Sequence, residues 1–169
     1  TSNNSGTNGV LRLTRSIVEN CIINTNNQST LVGLSLRGGV AVNNEIWSGT
    51  TSPSTSSGSI GIQSPSGTNT GYHVTIIGNR VHHMGGDGLS LNNPSMVDLG
   101  SNWIYANKGN GITFVESDAN NGSAIYNNVV DGNTGDGLNV NNLTSFSTIN
   151  AMWGNIFSNN NQSGKFGIN

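Results

Sequence analysis

Six side chains in the sequence carry functional groups that could bind a ligand or transfer a proton. An imidazole or a carboxylate can act as a general acid or base, so His82 and Asp131 are candidate catalytic residues. Exposed aromatic rings can stack on sugar faces, or they can be buried against a neighbouring chain. The predicted substrate-binding residues are Trp47, Arg80, Trp103 and Tyr105. The alternative is a solvated row of side chains without a role.

Two further carboxylates, Asp87 and Asp136, each lie in a Gly-Asp-Gly triplet, and Asn110 fills the equivalent place between them. If these residues lie on stacked strands, the two carboxylates are about 9–10 Å apart, at ~4.8 Å per strand. Inverting glycosidases keep their carboxylates ~6.5–9.5 Å apart, so catalysis by Asp87 and Asp136 is conceivable. Asp and Asn before Gly also stabilise tight turns, and the exchange of Asp for Asn favours that interpretation.

Metal and cofactor chemistry has little support in the sequence. Glu116 and Asp118 could bind Ca²⁺ through oxygen ligands, or they could belong to a solvated turn. The segments GGDGLSL and GDGLNV have neither the nine-residue period nor the ligand Asp of calcium-binding repeats. The sequence contains no His-Glu-x-x-His, phosphate loop or Gly-x-Ser-x-Gly elbow. We therefore predict no metal and no cofactor.

The composition restricts the class of partner. Six Lys and Arg are scattered singly against eight Asp and Glu, for a net charge of -2, so no basic stripe is available for nucleic acid. No apolar run approaches the ~20 residues of a membrane span, and no membrane insertion is expected. Cys21 is the single cysteine, which rules out an intramolecular disulfide. The many Gly, Asn, Ser and Thr with regularly spaced Val and Ile are typical of an ordered all-β protein.

A repeat of 23 to 27 residues organises the chain. Three segments align without gaps, each with Asn, any residue, Ile or Val, a polar stretch, and then Gly-Asp/Asn-Gly followed by alternating apolar residues. They are 79–91, 102–114 and 128–140, and degenerate copies start at Asn20, Asn44 and Asn155. A period in the low twenties with short alternating stretches suits one coil of a solenoid of parallel strands.

The sequence thus predicts an all-β, right-handed, single-stranded parallel β-helix of about six coils, as a single domain over residues 1–169. A Ser/Thr/Gly/Pro-rich segment at 48–71 interrupts the period and is predicted to be a loop insertion. The predicted core has three columns. The first contains Ile22, Ile46, Val81, Ile104, Val130 and Phe157, the second Ile17, Ala41, Ile76, Leu99, Ile125 and Met152, and the third Leu89, Leu91, Ile112, Phe114, Leu138 and Val140.

The Asn-x-Ile/Val and Gly-Asp/Asn-Gly-Ile/Leu pattern resembles the parallel β-helix repeats of the pectin-lyase-like superfamily over roughly residues 20–169. That resemblance implies a carbohydrate polymer as partner. The weakly charged Asn-, Ser-, Thr- and Gly-rich texture also resembles phage receptor-binding proteins, which are commonly homotrimers. The Asp-Pro-His-Glu motif of alginate epimerases and the Asn-Thr-Asp and Gly-His-Gly motifs of pectin hydrolases are absent from the sequence.

These observations lead to three expectations. The first is a carbohydrate-recognising β-helix of a phage tailspike or tail-fibre protein that contacts host surface polysaccharide, as a homotrimer on the virion surface or otherwise extracellular. The second is a secreted polysaccharide hydrolase or lyase that uses Asp131 with Asp87 or Asp136. The third is a structural segment of a surface adhesin, which would bind no glycan.

Overall fold

The structure, a computed structural model, describes residues 9–50, 58–64, 72–92, 95–115, 122–141 and 149–161. Within these ranges the chain forms strands and no helix, so no helix there has the length and apolarity to cross a membrane. The strands are β1 (Gly9–Glu19), β2 (Ile22–Asn24), β3 (Val32–Val42), β4 (Glu45–Trp47), β5 (Ile60–Ser64), β6 (His73–Ile77), β7 (Arg80–His82), β8 (Leu89–Asn92), β9 (Met96–Gly100), β10 (Trp103–Tyr105), β11 (Ile112–Val115), β12 (Ser123–Tyr126), β13 (Val129–Asp131), β14 (Leu138–Asn141), β15 (Ile149–Trp153) and β16 (Ile156–Ser158).

Every described strand pair is parallel, as a β-helix requires. One sheet consists of six three-residue strands, in the order β16-β13-β10-β7-β4-β2. A ten-stranded sheet runs β14-β11-β8-β5-β3-β6-β9-β12-β15, and β1 pairs with β3. The first half of β3 pairs with β5 and its second half with β6, so β3 joins two arms of this sheet. The predicted parallel β-helix is confirmed, with about five turns.

The core consists of stacked apolar columns, because alternate side chains of each strand point inward. In the third predicted column, Ile112 pairs with Leu89 and Leu138, and Phe114 pairs with Leu91 and Val140. All but Val140 are essentially inaccessible to solvent. Two residues that the repeat did not reveal extend this column downward, as Leu34 pairs with Ile62 and Ile62 with Leu89.

The register predicted for the first coil is wrong by one residue. Ile23, not Ile22, stacks below Ile46, and Val18, not Ile17, stacks below Ala41. Ile22 and Ile17 are 74% and 68% exposed. The cause is at the corner, where Asn20 takes a left-handed conformation at φ 54° and Cys21 takes the place of the repeat's leading Asn.

Part of the predicted loop insertion belongs to the solenoid. β5 (Ile60–Ser64) lies inside 48–71, and it pairs with β3 on one side and β8 on the other. Residues 51–57 and 65–71 of the insertion lie outside the described residues. Ile62 and Ser64 are the inward residues of β5. This stretch therefore supplies the strand by which the second coil joins the third predicted column, where Ile62 pairs with Leu89.

Buried asparagines connect the coils at one corner. Each Asn Nδ2 donates to the Asn Oδ1 of the next coil, at 2.9 Å from Asn44 to Asn79, 3.1 Å from Asn79 to Asn102 and 2.9 Å from Asn102 to Asn128. Backbone N–H groups of the same residues donate to the same oxygens. A second ladder of this kind runs through Asn107, Asn133 and Asn160. The leading Asn of the repeat therefore satisfies backbone groups that the corner leaves unpaired.

Candidate functional site

Two columns of side chains face outward from the six-stranded sheet. Alternation along β4, β7, β10 and β13 places the first and third residue of each strand outside and the middle one inside. Strand pairing puts these residues in register from coil to coil. We name this surface the aromatic face, and it consists of Glu45, Arg80, Trp103 and Val129 in one column and Trp47, His82, Tyr105 and Asp131 in the other.

Four rings on the aromatic face form a continuous stack. The centroids of Trp47 and His82 are 5.8 Å apart, and those of His82 and Tyr105 are 4.8 Å apart with an interplanar angle of 12°. Trp103 stacks on Tyr105 at 4.5 Å. Among the described residues, Trp103 has no second ring partner, and 47% of the residue is exposed. The stack therefore ends in an indole that solvent can reach.

Arg80 holds the exposed end of the stack in place. Its guanidinium carbon lies 5.2 Å from the Trp103 ring centroid and 5.3 Å from that of Tyr105, within the range of cation–π attraction. Arg80 Nε donates to the Tyr105 hydroxyl at 2.8 Å, and Arg80 Nη1 lies 3.4 Å from Glu45 Oε1. The guanidinium is thus fixed beside the rings while about half of its side chain remains exposed.

His82 is enclosed within the stack. The residue is 6% exposed, its Nε2 lies 3.1 Å from Glu45 Oε1, and its Nδ1 lies 2.7 Å from Nδ1 of His83. Burial lowers the pKa of His82 below its usual 6.5, and the hydrogen bond to Glu45 opposes that shift. The positive charges of His83 and Arg80 lower the pKa further. The geometry therefore favours a neutral imidazole in the folded protein.

Asp131 lies at the far end of the same column, paired in register with Tyr105. Its Oδ1 accepts hydrogen bonds from Ser158 Oγ at 2.7 Å and Asn159 Nδ2 at 2.9 Å. These partners belong to the following coil, so the hydrogen bonds of the carboxylate lie on the side of β13 away from Tyr105. The six residues named from the sequence thus share one surface, and their roles in binding or catalysis stay predictions.

Comparison with known proteins identifies the family. The model of the right-handed β-helix region matches residues 1–122 of the 169. The chain belongs to the right-handed β-helix family. No curated protein and no solved structure matches. Family membership gives the hand of the solenoid, and the side chains on its faces have to be read from the structure.

In this right-handed β-helix, the other two candidate carboxylates lie in a turn column. Asp87 Oδ1 accepts the Asn110 N–H at 2.8 Å, and Asp87 Oδ2 accepts Thr113 Oγ1 at 2.8 Å. Asn110 Oδ1 accepts the Asp136 N–H at 2.8 Å, and Asp136 Oδ1 accepts Asn161 Nδ2 at 2.6 Å. Asp87 and Asp136 therefore connect successive turns of the right-handed β-helix. The sequence predicted that these side chains bond within their own turns, whereas these hydrogen bonds run from coil to coil. A catalytic role of Asp87 or Asp136 stays a prediction.

Two residues that contact the ring stack were not recognised in the sequence as candidate site residues. They are Glu45, which belongs to the aromatic face, and His83, which lies next to it. Glu45 binds both Arg80 and His82, and His83 contacts His82 and Tyr105 edge to face. Glu45 could have been found, because it holds the same repeat position as Arg80. His83 could not be found from the alternation of strand residues, because it follows the end of β7, at a left-handed corner with φ 57°. The candidate calcium ligands Glu116 and Asp118 lie outside the described residues, and within the described ones no three His, Cys, Asp or Glu are grouped to hold a metal.

The lowered pKa of His82 predicts acid sensitivity. Because the unfolded chain binds a proton near pH 6.5 and the folded right-handed β-helix binds it at lower pH, folding stability decreases as pH falls below about 6.5. His82→Phe keeps a ring in the stack and removes the titration. We expect urea denaturation to show a smaller loss of stability between pH 7 and pH 5.5 in His82→Phe than in the wild type. Equal losses in both proteins would contradict the assignment.

Proposed function

We propose that the aromatic face binds a glycan, and that the chain is the carbohydrate-recognising β-helix of a phage tailspike or tail-fibre protein. The observation that carries the proposal is the half-exposed indole of Trp103 at the end of a ring stack, held by Arg80. Apolar faces of sugars pack against such rings. The polymer in this proposal is host surface polysaccharide.

The arrangement supports binding because its parts are ordered in advance. Tyr105 covers one side of the Trp103 ring, and hydrogen bonds and ring contacts hold the Arg80 side chain. Side chains already fixed lose little conformational entropy when a ligand arrives. Arg80 offers donors to sugar hydroxyls, whereas Glu45 and Asp131 offer acceptors. These groups extend over the strands β4 to β13, a length suited to a polymer rather than to one sugar ring.

Trp103→Ala tests this proposal. We expect the variant to lose at least about tenfold in affinity for the polysaccharide, since stacking of an aromatic ring and its associated contacts is worth ~1.5 kcal/mol or more. Trp153→Ala is the matched control, because Trp153 is 52% exposed and stacks on Tyr126 in the ten-stranded sheet. Both proteins should keep the wild-type circular dichroism spectrum. Glycan array screening followed by calorimetry gives the measurement, and equal affinities for both variants would refute the proposal.

The tailspike assignment carries proposals about assembly and location. A tailspike β-helix would act on the virion surface as a homotrimer, with outward residues of one chain close to those of the next. Light scattering on a size-exclusion column measures the solution mass of the chain. Three times the monomer mass of 17.6 kDa supports the trimer. A monomer removes that part of the proposal and leaves glycan binding by the aromatic face intact.

Cleavage of the bound polymer is the second candidate function, and one residue distinguishes it. Of the three candidate carboxylates, Asp131 alone belongs to the aromatic face, in register with Tyr105. Asp131→Asn keeps the size of the side chain and an acceptor oxygen but removes the acid and base function. An enzyme would lose orders of magnitude in turnover, whereas a binding protein would change only in affinity. An adhesin segment would bind no glycan in either form.

A further inference from the structure

A recess lies away from the aromatic face, at the corner where β1 and β3 bend. It has a volume of about 290 Å³ and is lined by residues of both bends and by the start of β6, including Arg15, Ser16, Gly38, Gly39, Tyr72 and His73. The parallel register of β1 and β3 pairs Thr14 with Arg37 and then Ser16 with Gly39, and it skips the corner residues Arg15 and Gly38. The recess is open to solvent, and its size suits a small group rather than a long chain.

The backbone at this corner leaves room only for glycine. Gly38 and Gly39 have φ values of 72° and 108°, which side chains other than hydrogen rarely adopt. A Cβ on Gly39 would lie 2.2 Å from the Ser16 carbonyl oxygen, and a Cβ on Gly38 would meet the Tyr72 side chain at 3.2 Å. The backbone of Gly38 and Gly39 is therefore accessible in the recess, next to the ring of Tyr72.

The charge of this corner is opposite to that of the chain as a whole. Three of the six Lys and Arg residues, Arg12, Arg15 and Arg37, lie on β1 and β3, whose one carboxylate is Glu19 at the end of β1. The Arg15 guanidinium carbon lies 4.7 Å from the Tyr72 ring centroid, which orients it at the edge of the recess. Asp98 is the nearby carboxylate, and it is hydrogen-bonded to His73 Nε2 at 2.9 Å.

Polar atoms near the corner also lack partners. Arg37 Nε is buried without a hydrogen-bond partner among the described residues, one position before Gly38. Ser35 Oγ and Gln63 Oε1, which belong to register partners farther along β3 and on β5, are also buried and unpaired, but they do not line the recess. Buried unpaired donors cost free energy. Arg15 in the recess wall, with Arg37 one residue before Gly38, thus gives this corner a positive charge that favours an incoming anion.

We propose that this recess binds a small oxyanion carried by a sugar, with the carboxylate of an acidic sugar as the ligand and Arg15 as the residue that binds it. Arg15 donates charge-assisted hydrogen bonds, which are the strong class, and Tyr72 limits the guanidinium to one orientation. The assignment of the anion to a glycan rests on the proposed function. Binding of the anion itself does not, because it involves neither Trp103 nor Arg80.

The test uses nuclear magnetic resonance titration of the whole chain with galacturonate, inorganic phosphate and neutral galactose at constant ionic strength. We expect galacturonate to shift the amide signals of Gly38 and Gly39, and galactose to leave them unchanged. Arg15→Gln should weaken galacturonate binding roughly tenfold or more, since a charge-assisted hydrogen bond is lost. Arg12→Gln is the matched control, because it removes the same charge from β1 outside the recess. Trp153→Ala, which removes an exposed ring that belongs neither to the recess nor to the aromatic face, should bind galacturonate as the wild type does.

Each other outcome of the titration is decisive. Binding of phosphate but not galacturonate retains the oxyanion site and assigns it to phosphorylated sugars. Equal weakening in Arg15→Gln and Arg12→Gln means diffuse attraction by net charge, and it overturns the proposal. So does an equal response to galactose, or no shift with either anion. If Arg15→Gln changes nothing while Trp103→Ala abolishes polymer binding, the recess assignment fails and the proposed function stands.

Discussion

Val130→Asp is expected to unfold the coils around β13, near the C-terminal end of the solenoid. Val130 is completely buried and stacks in register between Ile104 and Phe157. Its Cγ1 lies 2.3 Å from where a Cβ on Gly111 would be, so the side chain packs directly against a neighbouring backbone. A carboxylate there has no partner and loses its hydration. We expect a cost of about 4 kcal/mol or more in free energy of unfolding.

Val129→Asp provides the matched control, since it introduces the same side chain one residue earlier on β13. Val129 is partly exposed on the aromatic face. A new surface charge there should change stability by less than ~1 kcal/mol. Urea denaturation followed by circular dichroism measures both variants, and limited proteolysis locates the region that opens. A folded, native-like Val130→Asp protein would show that the inward register of β13 has been misassigned.

Asn102→Ala is the second substitution with a large expected effect. Asn102 Nδ2 donates to Asn128 Oδ1 and to the Ile76 carbonyl, both at 2.9 Å, and its Oδ1 accepts the Asn79 N–H at 2.9 Å and Asn79 Nδ2 at 3.1 Å. Alanine removes all four bonds and leaves buried donors and acceptors unpaired. With ~1–3 kcal/mol per unsatisfied group and partial relaxation, we expect a loss of about 3–5 kcal/mol.

An asparagine outside the two ladders provides the control, because it shows what an Asn→Ala substitution costs when no buried hydrogen bond is lost. Asn141→Ala changes an exposed residue at the end of β14, and we expect less than ~0.5 kcal/mol. Chemical denaturation gives the two free energies. Hydrogen exchange then shows where Asn102→Ala weakens the protein, and protection should fall first in the coils around residues 79–128, because each coil is stabilised mainly by its neighbours. A loss below 1 kcal/mol would mean that water replaces the ladder without cost.

The success and failure of the sequence predictions have the same origin. Ile104 and Val130 were placed correctly because Asn starts their repeats and inward residues alternate from that point. In the first coil the same rule selected Asn20, which lies at the left-handed corner, and it therefore placed Ile17 and Ile22 in the core although both are exposed. Asn occurs both in the ladders and at the left-handed corners of this protein, so residue type alone does not distinguish the two positions. A shift of one residue exchanges the two faces of a strand.

The candidate site was predictable to the extent that it depends on register. Equivalent repeat positions placed Arg80 beside Trp103 and His82 beside Tyr105, as strand pairing has it. The partners of each side chain were not predictable, since they depend on rotamers and on residues beyond the strands. Thus Glu45, rather than Asp131, lies against His82, and Asp131 binds Ser158 and Asn159.

The sequence by itself determined the solenoid, the period of its coils, most of the inward columns and the turn position of Asp87 and Asp136. A repeat contains this information locally, because each coil pairs with the next at one spacing. The tertiary structure alone decided three features: that β5 completes the second coil, that His82 is enclosed and its pKa lowered by burial, and that Arg15 and Tyr72 border a recess. Each of these depends on contacts between residues in different repeats at positions where the repeats differ, and a pattern common to all coils carries no information there.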